Sequence, residues 1–95
     1  MKSVQEIKRT LEELKGKYKV KKIGIFGSYV RGEQKGKSDL DILVEFEEDA
    51  KLSLLDVAGL EIELSDLLGI KVDLVEKKSL KPYIGQYILS EVIYV

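Results

Sequence analysis

Apolar positions at steps of three and four open the chain: Val4, Ile7, Leu11 and Leu14. That spacing predicts an amphipathic helix over roughly 3–16, with Ser3 as N-cap and Gly16 as stop. From Val20 to Gly27 the run containing Ile23, Ile25 and Phe26 predicts a buried strand, and the stretch from Tyr29 to Gly32 a short helical turn. The polar segment from Glu33 to Ser38 predicts a loop. A second strand is expected over 39–46, where strict alternation places Leu40, Ile42, Val44 and Phe46 on one face. Asp39, Asp41, Leu43 and Glu45 take the other face. A long helix over 52–68 follows, with Gly69 as its left-handed cap. A third strand over 70–75 sets Ile70, Val72 and Leu74 against Lys71, Asp73 and Val75. Ser79 is placed to cap a last helix with Pro82 in its first turn, and 92–95 to form a final short strand. The first two strands are joined too briefly for a crossover helix, so they are expected to be antiparallel or loosely hairpin-like. The 52–68 helix then serves as the crossover to the third strand. The fold class is therefore α/β (α+β): a small mixed sheet with helices packed on its apolar face.

The long helix carries two apolar stripes. Leu54, Val57, Leu60, Leu64 and Leu67 make one, and Leu55, Ala58 and Ile62 an adjoining one. So wide an apolar arc is either sandwiched in the core or covered by a partner. At 95 residues the chain is expected to form one domain, 1–95, with a thin core. A net charge of −1 argues against a protein that lives on phosphate attraction, so no direct nucleic-acid binding is expected. The chain contains no Cys and no His, which removes thiolate nucleophiles, imidazole bases and Cys/His zinc sites. It also lacks Asn while being rich in Lys and Glu, a bias found in proteins from hot habitats. No apolar run is long enough to span a membrane and the start is charged, so a cytoplasmic location is expected.

Chemistry is therefore left to carboxylates, hydroxyls and cations, and the acidic pattern is informative. Asp39 and Asp41 lie at i and i+2 of a strand, on one face and about 6.6 Å apart. At an effective dielectric of ~20 their repulsion is on the order of 2–3 kcal/mol when both are ionised. A bound divalent cation removes that conflict, and hard oxygen ligands suit Mg²⁺. Asp73 lies mid-strand, where Asp has poor propensity, on the face opposite Val72 and Leu74. If the third strand neighbours the second, the three carboxylates converge, as metal-assisted phosphoryl or nucleotidyl transfer requires. The competing reading is a turn-capping Asp39 with Asp41 and Asp73 solvated on an exposed sheet face.

Gly27 and Ser28 follow a buried strand, where a glycine lets the backbone approach a ligand and a hydroxyl can donate to a phosphate oxygen. Arg31, one turn on, either holds phosphate with its planar fork or pairs at the surface with Glu33. Lys35 and Lys37 flank the proposed pocket.

Gly27-Ser28, ten intervening residues, Asp39-x-Asp41 and a later Asp73 resemble the nucleotidyltransferase superfamily that includes DNA polymerase beta. The wording GSYVRGEQKGKSDLDILVEF and the segment KVDLVEKKSLKP are similar to the minimal nucleotidyltransferases of prokaryotes. The resemblance runs from about Val20 to the C-terminus. It implies a palm-like sheet that binds ATP and two Mg²⁺. In that scheme Asp39 and Asp41 are metal ligands, and Asp73 shares a metal and activates the acceptor hydroxyl. Gly27 and Ser28 hold the triphosphate. It further implies an antitoxin paired with a HEPN-domain ribonuclease toxin, which it neutralises by moving AMP from ATP to a tyrosine of the toxin. The alternatives are modification of a small molecule such as an aminoglycoside, for which 95 residues leave little enclosing material, and a non-catalytic binding module. A template-directed polymerase is disfavoured because no finger, thumb or basic stripe is present.

Overall fold

The computed structural model describes residues 4–33 and 39–95. In chain order the elements are α1 (Val4–Lys15), β1 (Val20–Phe26), α2 (Ser28–Arg31), β2 (Leu40–Phe46), α3 (Leu54–Leu68), β3 (Val72–Glu76), α4 (Pro82–Glu91) and β4 (Ile93–Tyr94). A 3₁₀ turn, Lys77–Ser79, links β3 to α4. The sheet order is β3-β2-β1-β4. β1 runs antiparallel to β2 and to β4, and β2 and β3 are parallel. α3 is thus the crossover between parallel neighbours, as its position in the sequence requires.

Ile7, Leu11 and Leu14 of α1 and Leu60, Leu64 and Leu68 of α3 are buried against Ile23, Ile25, Leu40, Ile42 and Val44 of the sheet. This is the expected apolar face with its helices. α4 departs from that arrangement. Its Ile88 joins Phe26 and Leu43 in a second, smaller cluster. Phe26 and Leu43 alternate with the main core residues, so α4 covers part of the opposite sheet face.

Strict alternation would set Val20 and Ile23 on opposite sides of β1. The pairing with β2 shifts register between Val20 and Lys22, and the irregularity brings both residues inward while Lys21 and Lys22 stay exposed. The bulge therefore reconciles an i, i+3 apolar pair with a two-residue period.

α3 begins later than the pattern suggested, because Ser53 is its N-cap. The Ser53 hydroxyl accepts the Asp56 N–H at 3.3 Å, and the Asp56 carboxylate accepts the Ser53 N–H at 2.9 Å. That reciprocal pair is a capping box. Gly69 ends the helix in the left-handed conformation, as expected. Only part of the first predicted stripe reaches the core. Leu54 and Leu67 lie outside it and Leu68 takes a core position instead. Leu55 (83% exposed) and Ile62 (62% exposed) stay outside with Leu54 (86% exposed). At 100° per residue Leu60, Leu64 and Leu68 span an arc of about 80°, and Leu54 and Leu67 fall about 40° and 20° beyond its two edges.

The cap of α4 also differs from expectation. Lys81 occupies the N-cap with no side-chain hydrogen bond, Pro82 begins the helix, and Ser79 ends the preceding 3₁₀ turn. The final strand forms as expected but is two residues long. The proposed Ser3 cap, Lys35 and Lys37 lie outside the described residues. Among the described residues, no helix is long and apolar enough to cross a membrane.

Candidate functional site

The candidate residues collect at one end of the sheet, where β1 finishes and β2 and β3 begin. Asp41 and Asp73 are register partners across the parallel β2–β3 pair, as are Leu40 with Val72 and Ile42 with Leu74. Side chains of register partners project from the same face, about 4.8 Å apart at the backbone. The two carboxylates therefore stand side by side, on the face opposite the main core. Like charges at about 5 Å repel by about 1 kcal/mol in water and about 3 kcal/mol at a dielectric of 20.

α3 fixes this register from the outside. β3 is an edge strand, and its outward amides are taken by α3 side chains. Val72 N–H donates to the Ser65 hydroxyl at 3.0 Å, and Leu74 N–H donates to the Glu61 carboxylate at 2.9 Å. These bonds close the free edge and pin the residues on either side of Asp73.

Asp41 is half-buried, and its carboxyl is pushed above the usual carboxylate range. Burial is the largest cause, followed by the charges of Asp73 and Asp39, with Arg31 opposing and Glu91 adding. Asp39 precedes β2, is exposed, and approaches Lys71, with 3.9 Å between carboxylate and ammonium. The tight three-acid cluster expected from the spacing is accordingly looser. Asp41 and Asp73 are abreast, while Asp39 leans to a neighbouring lysine. Among the described residues no group of three acidic side chains is set closely enough to cage a metal ion.

Gly27 makes the close approach possible. Its φ of 80° and ψ of −150° lie where only glycine is comfortable. A Cβ there would stand 2.1 Å from Asp41 Oδ2. The Gly27 carbonyl accepts the N–H groups of Val30 and Arg31 at 3.1 and 3.2 Å, and so winds α2. Among the described residues the Ser28 hydroxyl has no hydrogen-bond partner, so it is available to a ligand.

Arg31 is held at both edges of its fork. Nε donates to the Glu33 carboxylate, and Nη1 donates to Glu91 at 3.0 and 3.1 Å. The pairing with Glu33 considered from the sequence is present. The pairing with Glu91 joins residues 60 apart in the chain. Glu91 also accepts the Gly27 N–H at 2.9 Å. The amphipathic pattern of 82–91 carries no sign of this contact. A polar residue near a helix end reads as solvated until tertiary structure brings its partners to it. A separate cleft of about 510 Å³ is lined by Lys17, Tyr18, Lys19, Asp49 and Leu52. It lies at the opposite end of β1 and β2 and holds none of the candidate residues.

The nucleotidyltransferase domain family model matches residues 7–95. This chain belongs to that family. The nucleotidyltransferase assignment is supported along the whole chain by relatives of similar length. The protein adenylyltransferase MntA of Thermococcus cleftensis is 50% identical over 99 residues, covering 100% of this chain and 98% of the relative. Among solved structures, one of a minimal nucleotidyltransferase is 37% identical with a TM-score of 0.81, covering 95% of this chain and 90% of that one. A toxin–antitoxin crystal structure with AMP-PNP contains a chain 27% identical, with a TM-score of 0.79. There the match covers 92% of this chain and 70% of the other. The chain is thus a minimal nucleotidyltransferase, an enzyme of the mixed α/β palm-like class.

Proposed function

We propose that this nucleotidyltransferase transfers AMP from ATP to a hydroxyl of a partner protein and thereby acts as an antitoxin. The acceptor we favour is a tyrosine of a HEPN ribonuclease toxin. The observation that carries the reading is the side-by-side placement of Asp41 and Asp73 next to the Gly27–Ser28 turn. The relative that is a protein adenylyltransferase, and the toxin–antitoxin structure holding a nucleotide analogue, support the chemistry and the partner class. The exposed Leu54, Leu55 and Ile62 of α3 offer a partner apolar area to cover.

The donor set suits magnesium. Asp39, Asp41 and Asp73 supply hard oxygens, with Asp41 and Asp73 repelling each other side by side, and Mg²⁺ keeps several waters and takes its other ligands from phosphate. A preformed cage of three acids is therefore not required. Asp39 and Asp41 would hold two ions, and Asp73 would share one of them. Bound there, the metal supplies charge neutralisation at the phosphates.

The chain's own groups do the rest. The Ser28 hydroxyl and the Arg31 guanidinium bind the phosphate tail beside the Gly27 turn. Asp73, at the exposed margin of the site, takes the proton of the acceptor hydroxyl as its oxygen attacks the α-phosphorus. A phosphorus–oxygen bond forms to the acceptor, the bond between α-phosphorus and bridging oxygen breaks, and pyrophosphate leaves. A partner that brings its own hydroxyl completes a site this small chain does not enclose.

The test is incubation with ATP labelled at the α-phosphate, Mg²⁺ and the protein encoded beside this one. Label on that protein, lost with Asp41→Asn or Asp73→Asn, is the expected result. Neutralisation of the partner that survives both substitutions would show a purely steric antitoxin.

A further inference from the structure

Glu91 stands at the end of α4, its side chain only 15% exposed. A sheltered carboxylate is retained at a cost unless it is paired and hydrogen-bonded. Here one oxygen accepts the Gly27 N–H at 2.9 Å and both oxygens accept from Arg31 Nη1. A single side chain from the last helix thus ties down both ends of the short Gly27–Arg31 turn.

We infer that Glu91 is a positioning residue for nucleotide binding. It sets the Gly27–Ser28 turn and aims Arg31 at the phosphate tail, an assignment that rests on the ATP reading above. Three observations carry it. The Gly27 amide, at the start of the turn, is anchored by its bond to Glu91. Arg31 is 39% exposed, and a free arginine on the surface samples many rotamers before it can bind. With Nε on Glu33 and Nη1 on Glu91 the fork is fixed. Among the described residues, its Nη2 group has no partner and remains for a phosphate oxygen. Stability alone does not ask for this residue, since a buried ion pair can be replaced by apolar side chains at little or no loss.

The experiment is calorimetric titration of the full chain with Mg²⁺ and AMP-PNP, beside thermal melts, for the native protein, Glu91→Gln and Glu91→Ala. Steady-state kinetics on ATP accompany them. Glu91→Ala is expected to weaken binding by about tenfold or more and to raise the KM for ATP more than it lowers kcat, the signature of lost ground-state binding. Glu91→Gln keeps one acceptor for the Gly27 N–H but turns the other oxygen into an NH2 donor and removes the negative charge facing Arg31, so it should fall between the other two. If Glu91→Ala does not fold, the Glu91→Gln loss decides. Native affinity in a folded variant with a lowered melting temperature would overturn the inference in favour of a structural clip. Tighter binding would overturn it in favour of a carboxylate that competes with phosphate. No uptake by the native protein would defeat the ATP reading itself, and this inference with it.

Discussion

Replacing Gly27 with alanine probes the geometry of the site with one methyl group. The φ of 80° with ψ of −150° is a region that side-chain-bearing residues occupy at a cost of about 1–3 kcal/mol. The added Cβ would also fall 2.1 Å from Asp41 Oδ2. The flexible end of that side chain can yield only by leaving its rotamer, at about 0.5–1.5 kcal/mol. Together these give about 2–4 kcal/mol, a large share of the ~5–15 kcal/mol expected of a domain. At roughly 4–8 °C per kcal/mol for a small domain, the melting temperature should fall by about 8–32 °C. Activity should fall further than folding, because the displaced carboxylate is the one abreast of Asp73. A misplacement of about 1 Å is worth on the order of 100-fold in rate. Melts and AMP-transfer rates, measured well below the variant's melting temperature, check both. A variant that melts within a few degrees of the native protein and transfers AMP at the native rate would refute the reasoning.

Two further outcomes follow from the same structure. Asp41 is shifted upward in the folded state, by burial first and by Asp73 and Asp39 next. The native protein therefore binds that proton more tightly than the unfolded chain does. Above both values the ionised carboxylate destabilises the fold, and stability is recovered as pH falls through the folded value toward the unfolded one. Without divalent ions, Asp41→Asn should accordingly raise the melting temperature at neutral pH, with the gain shrinking as the pH approaches the carboxylate range; melts across pH decide it. Ser53→Ala removes one half of the α3 capping box and should cost about 1 kcal/mol in denaturant unfolding, while leaving nucleotide binding at the other end of the molecule unchanged.

Much of this arrangement is readable along the chain, for identifiable reasons. The alternation through residues 39–46 and 70–75 sets Asp39 and Asp41 on one side and Asp73 on the corresponding side of its own strand. A long amphipathic helix between them calls for a parallel crossover. Together these place Asp41 next to Asp73 once the register is known. What the pattern does not carry is contact across distance. The bulge after Val20 depends on how β1 meets β2. The second cluster of Phe26, Leu43 and Ile88 depends on α4 folding back over the sheet. Glu91 meets Gly27 only through that same return. Nor does spacing determine how tightly acids converge, since Asp39 has Lys71 to approach as well as Asp41. The exposed leucines of α3 show a related limit, because apolar character sets the width of a face and not which part of it is covered.

On this reading the acids of β2 and β3, with the glycine turn beside them, hold a magnesium–nucleotide pair. Calorimetry of the native protein, Asp41→Asn and Asp73→Asn against ATP, with and without Mg²⁺, tests it most directly. The expected result is uptake by the native protein only when magnesium is present, and its loss in both variants while their melting temperatures hold or rise. Equal uptake with and without the metal, or by the variants as by the native chain, would contradict it.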